Sequence, residues 1–187
     1  MEAFMACLVL TFAIAFGGRE QLIVAQFAEE LDRTAPLLAT GAFCAVLSAA
    51  VMAYAGASIA ALLPQRAADM LVAFALGFAA IELLLKVTTK PMKEPTRSFV
   101  AIGAVLFVRQ LMDAARFVIF AFAAAAIWPT TAMIGGAIGG VGAVGLGWFM
   151  GLSRLERFPL RAIRMALAAC LFIAALVIGL NARYAFL

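Results

Sequence analysis

Six apolar runs, each long enough to cross a lipid bilayer, take up most of the sequence. A hydrocarbon layer of about 30 Å needs roughly 20 apolar residues in a helix. Charged or turn-forming residues separate the runs, which cover approximately residues 3–28, 36–63, 66–87, 98–126, 130–152 and 159–181. The pattern predicts an all-α polytopic membrane protein with six transmembrane helices embedded in the lipid bilayer.

The composition supports this class and argues against others. Apolar types make up 67% of the 187 residues and charged types 13%, whereas soluble domains average about 45–50% and about 25%. Lysine and arginine are spread along the chain instead of being gathered on one face, so nucleic-acid binding is not expected. Histidine is absent, which removes the commonest general base near neutral pH. We therefore expect that the chain is not an enzyme and has no cofactor.

A basic linker at 88–97 divides a single membrane domain into two halves, 1–87 and 98–187. Cytoplasmic loops of membrane proteins are enriched in lysine and arginine. With six spans, Arg66 and Arg183 fall on one side of the membrane and nine basic residues fall on the other. The nine are Arg33, Lys86, Lys90, Lys93, Arg97, Arg154, Arg157, Arg161 and Arg164. This bias predicts a cytoplasmic linker and two periplasmic termini, and the short chain suits a bacterial inner membrane.

The two halves repeat each other at an offset of 95 residues. This shift aligns Gly-x-Ser at 56–58 with 151–153, and Pro-x-Arg-Ala at 64–67 with 159–162. Three crossings reverse the direction of the chain, so the second half enters the membrane upside down relative to the first. Such an inverted 3+3 repeat is typical of secondary transporters, whose substrates bind near the midplane between the halves.

Charged side chains interrupt the first run of each half. A charge inside the bilayer is costly unless it is paired or hydrated, so each one is a candidate functional residue. The candidates are Arg19 and Glu20 in the first run and Arg109, Asp113 and Arg116 in the fourth, with the polar Gln21 and Gln110 beside them. Glu82, near the end of the third run, is interpreted as marking the end of a span.

One interpretation of these charges is a salt-bridge latch. On a continuous helix Arg109, Asp113 and Arg116 share a face, with the carboxylate between two guanidinium groups. Glu20 cannot face its neighbour Arg19, so its expected partner is Arg116 or Arg109 across the symmetry axis. The alternative interpretation is a substrate site, and both hold if transport breaks and remakes the pairs.

The stretch Phe-Gly-Gly-Arg-Glu-Gln-Leu at 16–22 resembles the Glu-x-Gly-Asp-Lys-Thr-Gln-Leu motif of a cation/proton exchanger family of the lysine-exporter superfamily. That family, found in Golgi, thylakoid and bacterial membranes, has one such motif in the first helix of each three-span repeat. Gly17, Arg19, Gln21 and Leu22 match the first motif, and Asp113 matches the aspartate of the second. Asp113 is the one motif acid of four that remains.

The resemblance implies a manganese/calcium exchanger coupled to protons, with a depleted acidic site. Glu20 and Asp113 would bind the divalent cation, which prefers several oxygen ligands. Gln21 and Gln110 would be auxiliary ligands. The three arginines would act in gating or in salt bridges.

Two alternatives remain open for the function. The arginines outnumber the acids in the motif helices by one, so they could hold an anion or an amino acid in a positive cavity. Otherwise the chain is a structural or regulatory membrane partner that transports nothing.

A glycine-rich segment at 135–151 repeats Gly-x-x-x-Gly, the spacing that lets helix backbones approach closely. It predicts tight packing against the first or fourth helix. A homodimer through the same face is an alternative.

Overall fold

The computed structural model describes residues 2–31, 34–85, 87 and 98–184, and these residues form helices and no strand. The basic linker at 88–97, predicted to be cytoplasmic, lies outside them. The helices are α1 (Glu2–Ala15), α2 (Arg19–Glu30), α3 (Ala35–Ala61), α4 (Gln65–Leu84), α5 (Phe99–Leu111), α6 (Ala114–Ala125), α7 (Pro129–Met150), α8 (Leu152–Leu155) and α9 (Leu160–Tyr184).

Four of the described helices, α3, α4, α7 and α9, are long and apolar enough to cross a membrane. The pair α1 and α2 also meets the criterion when taken together, although the two helices are bent by 60°, which gives up to five spans. The helices α5 and α6 are apolar but shorter. These features confirm the predicted all-α class in the described residues and are those of an integral membrane protein.

The first predicted run is broken between α1 and α2. Gly17 adopts a φ of 72°, a left-handed conformation that favours glycine because it has no Cβ atom. The Gly17 amide donates a hydrogen bond of 2.7 Å to the Gln21 side-chain oxygen. The break leaves the Gly17 amide without a partner within the helix, and Gln21 supplies one. Backbone groups in a membrane need such a partner because lipid offers none.

The fourth predicted run is also broken, between α5 and α6. The helix α5 ends at Leu111, and Asp113 is the N-cap of α6, where its carboxylate accepts a hydrogen bond of 3.1 Å from the Ala115 amide. An aspartate is well suited to this position because it satisfies one of the free amides at a helix start. Asp113 therefore begins a new helix instead of continuing α5.

The glycine-rich helix α7 packs directly on the backbone of α1. A Cβ atom added at Gly135 or Gly139 would collide with the carbonyl oxygens of Phe4 and Leu8, respectively. This contact confirms the predicted packing of the glycine segment against the first helix. The helix α7 also packs on α3, which in turn contacts α5 and α6, while α4 packs on α9 and α6.

Helix bounds and contacts recur at the 95-residue offset found in the sequence. Adding 95 to the bounds of α2 gives the bounds of α6. Adding 95 to the first residue of α4 gives the first residue of α9. The Cys44 thiol lies 3.4 Å from the Gly103 carbonyl oxygen. The offset relates Cys44 to Gly139 and Gly103 to Leu8. Gly139 packs on the Leu8 carbonyl oxygen, so the equivalent contact is present.

Candidate functional site: a charged pocket at two helix breaks

A pocket of about 470 Å³ lies where the break between α1 and α2 meets the break between α5 and α6. Five charged side chains line this pocket, together with the apolar residues Leu85, Val108 and Met112. The charged residues are Arg19, Glu20, Glu82, Arg109 and Asp113. We call it the charged pocket. The fold thus brings four of the predicted site residues to one place and adds Glu82.

Glu20 is buried and pairs with Arg116 across the two halves. The distance between Glu20 Oε2 and Arg116 Nη2 is 3.7 Å, and the side chain of Arg116 is fully buried. This pair confirms the expectation that Glu20 would find its partner on the other motif helix. Glu20 lies on the pocket wall. Its second oxygen, Oε1, accepts no hydrogen bond from the described part of the chain.

Arg116 is held in place by a buried polar chain. Its Nε donates a hydrogen bond of 2.7 Å to the Ser48 hydroxyl, which lies 3.0 Å from the side-chain oxygen of Gln110. Gln110, predicted as an auxiliary ligand, is therefore engaged in positioning Arg116 and does not line the charged pocket. Its amide nitrogen has no hydrogen-bond partner among the described residues.

Gln21 has the equivalent role in the first half. Its amide nitrogen donates a hydrogen bond of 2.8 Å to the Ala143 carbonyl oxygen, and its oxygen accepts from the Gly17 amide. The 95-residue offset relates Gln21 to Arg116 and Ser48 to Ala143. The side chains of Gln21 and Arg116 therefore bond to equivalent positions on the opposite halves. Gln21, the other predicted auxiliary ligand, also lies away from the pocket wall.

Asp113 lies on the pocket wall at the start of α6. Its carboxyl group lies on the same wall as the Glu20 carboxyl group, and the two groups repel each other when both are ionised. A proton on one of the carboxyl groups, or a cation between them, relieves this repulsion. The pair can therefore hold a proton or, when both groups are ionised, a cation.

The predicted latch on a continuous helix is wrong for Arg109. The helix ends before Asp113, which places Arg109 and Asp113 on different helices and removes their i,i+4 relation. Arg109 is exposed on the pocket wall, and it forms no ion pair with any residue that the structure describes.

Glu82 and Arg164 belong to the site, although the sequence interpretation assigned them to a span end and a basic loop. Glu82 lies 3.9 Å from Arg19 and 3.4 Å from Arg164. Both missed residues fall within apolar runs, and the high cost of an ionised group in such a run was the signal that could have identified them.

The pocket wall carries three carboxylates and two guanidinium groups, which gives a formal charge of −1. Arg116 and Arg164 lie behind this wall and pair with Glu20 and Glu82. In the described part of the chain, no three His, Cys, Asp or Glu side chains are grouped as metal ligands. Each acid is instead engaged by an arginine or by a helix amide, so a cation could bind here only by displacing these groups.

Comparison of the chain with protein-family models, with curated proteins and with solved structures found no match. The resemblance to the exchanger family therefore stays a prediction from the residues that carry it.

Proposed function

We propose that the protein is a secondary transporter whose substrate binds in the charged pocket. The observation that carries the proposal is that two helix breaks, one in each half, meet at a single pocket lined by buried acids. Broken helices whose ends face a midplane site are a recurring feature of secondary transporters. Ionisable groups are retained within a membrane chiefly where substrates, ions or protons pass.

The proposed architecture is six spans arranged as an inverted repeat of residues 1–87 and 98–187. In this arrangement α1 with α2 forms one crossing and α5 with α6 forms the equivalent crossing. The recurring helix bounds support it, as do the paired contacts Gln21 with Ala143 and Arg116 with Ser48. A pseudo-twofold axis predicts that a residue of one half contacts the other half at the position where its equivalent contacts the first half.

The proposed substrate is a divalent cation, manganese or calcium, exchanged for protons. Three carboxylates on the pocket wall are available to a cation, and the arginines behind the wall, Arg116 and Arg164, pair with two of them. Glu20 and Asp113 are the proposed ion ligands, since their carboxyl groups lie together and can carry a proton in the absence of the cation. Hard divalent cations prefer several oxygen ligands. Glu82 lies on the same wall, but it is not grouped with Glu20 and Asp113 closely enough to form a ready-made metal site.

An amino acid or another zwitterion is the second candidate. Arg19 and Arg109 place two guanidinium groups on the same wall as the acids. A zwitterion would use both signs of charge, with its carboxylate on the arginines and its ammonium group on Glu20 or Asp113.

We further propose a bacterial inner membrane with both termini on the periplasmic side. The nine basic residues on the opposite side support this orientation. A homodimer through the glycine-rich helix is an alternative assembly.

Uptake into proteoliposomes tests the proposal. Purified protein is reconstituted with manganese or calcium outside and a pH-sensitive dye inside, and Asp113→Asn is compared with the unchanged chain. We expect cation entry coupled to proton exit, and loss of both in the variant. Asp69→Asn is the matched control, because Asp69 lies in α4 and outside the charged pocket.

Failure of the folded protein to move either ion would contradict the exchanger proposal. Uptake of a labelled neutral amino acid under the same gradient would then favour the zwitterion. If the protein moved neither class of solute, the structural or regulatory partner would be the better description.

A further inference from the structure

The repeated Pro-x-Arg-Ala motif, at the starts of α4 and α9, places one arginine of each half at a pocket. Arg66 lines a pocket of about 490 Å³, and Arg161 lines another, of about 360 Å³. The 95-residue offset that relates the two arginines also relates further lining residues of the two pockets. These pairs are Asp69 with Arg164, Ile178 with Leu83, and Ala182 with Val87. The two pockets therefore occupy equivalent positions in the two halves.

The two pockets lie at opposite ends of a packed pair of helices. The helices α4 and α9 pack on each other, and each is long and apolar enough to cross a membrane. The start of α4 and the end of α9 line one pocket, whereas the end of α4 and the start of α9 line the other. Because head groups lie just outside the hydrocarbon layer, each pocket is expected at the level of the head groups on one side of the bilayer.

The two pockets differ in charge. Arg66 shares its pocket with Asp69, whereas Arg161 shares the other with Arg164. No acid among the described residues lines this second pocket, and we call it the basic pocket. Arg161 is exposed and forms no ion pair within the part of the chain that the structure describes. The basic pocket is therefore suited to an anion, and its equivalent is not.

Arg164 is buried, and part of its hydrogen-bonding capacity is unused. Its Nη2 donates a hydrogen bond of 3.2 Å to the Glu82 carbonyl oxygen and lies 3.4 Å from the Glu82 carboxylate. Its Nη1 has no hydrogen-bond partner among the described residues. A buried donor without a partner is costly. An anionic oxygen in the pocket that Arg164 lines would supply the missing partner.

The remaining wall of the basic pocket is apolar and opens to the outer surface of the helices. Leu22, Leu83, Leu84 and Met165 belong to this wall. Leu84 and Met165 are exposed on spanning helices, where apolar surface marks contact with the membrane. A free anion would leave this apolar wall unused. A phospholipid would use both the arginines and the wall.

We propose that the basic pocket binds an anionic phospholipid, with its phosphate on Arg161 and Arg164 and its acyl chains along Leu84 and Met165. Basic pockets between transmembrane helices on the cytoplasmic side bind anionic head groups in this way. The helix α9 begins after the basic loop at 151–159, which the positive-inside bias assigns to that side. This lipid site is independent of the proposed transport.

Native mass spectrometry of the purified protein in a non-ionic detergent tests the site. Phosphatidylglycerol and phosphatidylcholine of equal chain length are added in equal amounts, and the bound lipids are resolved by mass. We expect the unchanged chain to retain phosphatidylglycerol preferentially. Arg161→Gln should weaken the binding of phosphatidylglycerol by about fivefold, which is the contribution of one basic residue at an anionic lipid surface.

Arg66→Gln is the matched control, because Arg66 is the equivalent exposed arginine of the other pocket. It should leave the binding of phosphatidylglycerol unchanged. Glu82→Gln/Arg164→Gln is a second test variant, which removes the other arginine of the basic pocket without leaving its buried partner unpaired. It should also weaken the binding.

Equal retention of the two lipids by the unchanged chain would overturn the proposal, as would equal losses in Arg161→Gln and Arg66→Gln. Inorganic phosphate, added at the concentration of the lipid, distinguishes a lipid from a free anion. Retention of phosphatidylglycerol in the presence of phosphate would support the lipid. Its displacement by phosphate would show that the apolar wall contributes nothing and would also overturn the proposal.

Discussion

Arg116 is the largest fully buried side chain in the part of the chain that the structure describes. Its equivalent in the first half is the uncharged Gln21, which reaches the same position on the opposite half with one hydrogen bond to Ala143. The second half therefore has a charge where the first half has an amide. That charge is balanced by Glu20, on the wall of the charged pocket, so the asymmetry between halves places an acid at the site.

Replacing Arg116 with glutamine should be more destabilising than replacing both partners. Arg116→Gln leaves the buried Glu20 carboxylate without its cation, and breaking a buried pair on one side costs about 3–5 kcal/mol. In Glu20→Gln/Arg116→Gln no charge is left unpaired, so the loss of unfolding free energy should be smaller than in Arg116→Gln. Denaturation in mixed micelles measures both, and a double variant whose loss equals the sum of the single losses would show that the pair is not coupled.

The sequence predicted most residues that line the charged pocket but fewer of the ion pairs between them. Arg19, Glu20, Arg109 and Asp113 were predicted because charge is rare in an apolar run, and all four line one pocket. Glu82 lies two residues before the last residue of α4, so its charge was interpreted as marking a span end. Its contacts with Arg19 and Arg164 depend on how three helices meet. No spacing along one helix encodes such contacts, so they could not be read from the sequence.

The helices themselves were largely predictable because apolar length and breaking residues are local properties. The predicted run at 66–87 corresponds to α4 and the run at 130–152 corresponds to α7, with ends that agree within a few residues. The break at Gly17 cannot be derived from the sequence, since the paired glycines Gly17 and Gly18 permit a break without requiring one. The break before Asp113 was missed, because an aspartate also fits a continuous helix when arginines flank it.

The close approach of α7 and α1 predicts opposite effects for two glycines of one helix. Gly139→Ala places a Cβ atom against the Leu8 carbonyl oxygen, and overpacking of this kind costs about 1–3 kcal/mol. Gly145→Ala meets nothing within 4 Å, so alanine should be neutral or stabilise the helix by up to about 1 kcal/mol. Denaturation in mixed micelles again provides the measurement, and equal losses for the two variants would contradict close packing at Gly139.

For the whole molecule, the central question is how many times the chain crosses the membrane. Length and composition give four spans, or five when α1 and α2 form one bent crossing. The proposed inverted repeat requires six, with α5 and α6 as the equivalent broken crossing. If α5 and α6 instead formed a re-entrant hairpin, the second half would not be inverted relative to the first.

The positions of three loops distinguish these arrangements. With six spans, the loop at 62–64 and the loop at 126–128 lie on one side, and the loop at 151–159 lies on the other. With four or five spans, the loops at 62–64 and 126–128 lie on opposite sides, because α5 and α6 then return the chain to the side from which α5 began. The comparison therefore depends on α5 and α6, which are too short to be assigned as a crossing by length.

Single cysteines at Leu62, Ile127 and Arg157, in a chain carrying Cys170→Ala, make this a direct measurement in intact cells. All three native residues are exposed in the structure. We expect an impermeant maleimide to label Leu62→Cys and Ile127→Cys from outside, and Arg157→Cys only after the membrane is permeabilised, because the basic loop at 151–159 belongs on the cytoplasmic side. Labelling of Leu62→Cys and Ile127→Cys from opposite sides would exclude the inverted repeat, and with it the pseudo-twofold axis through the charged pocket.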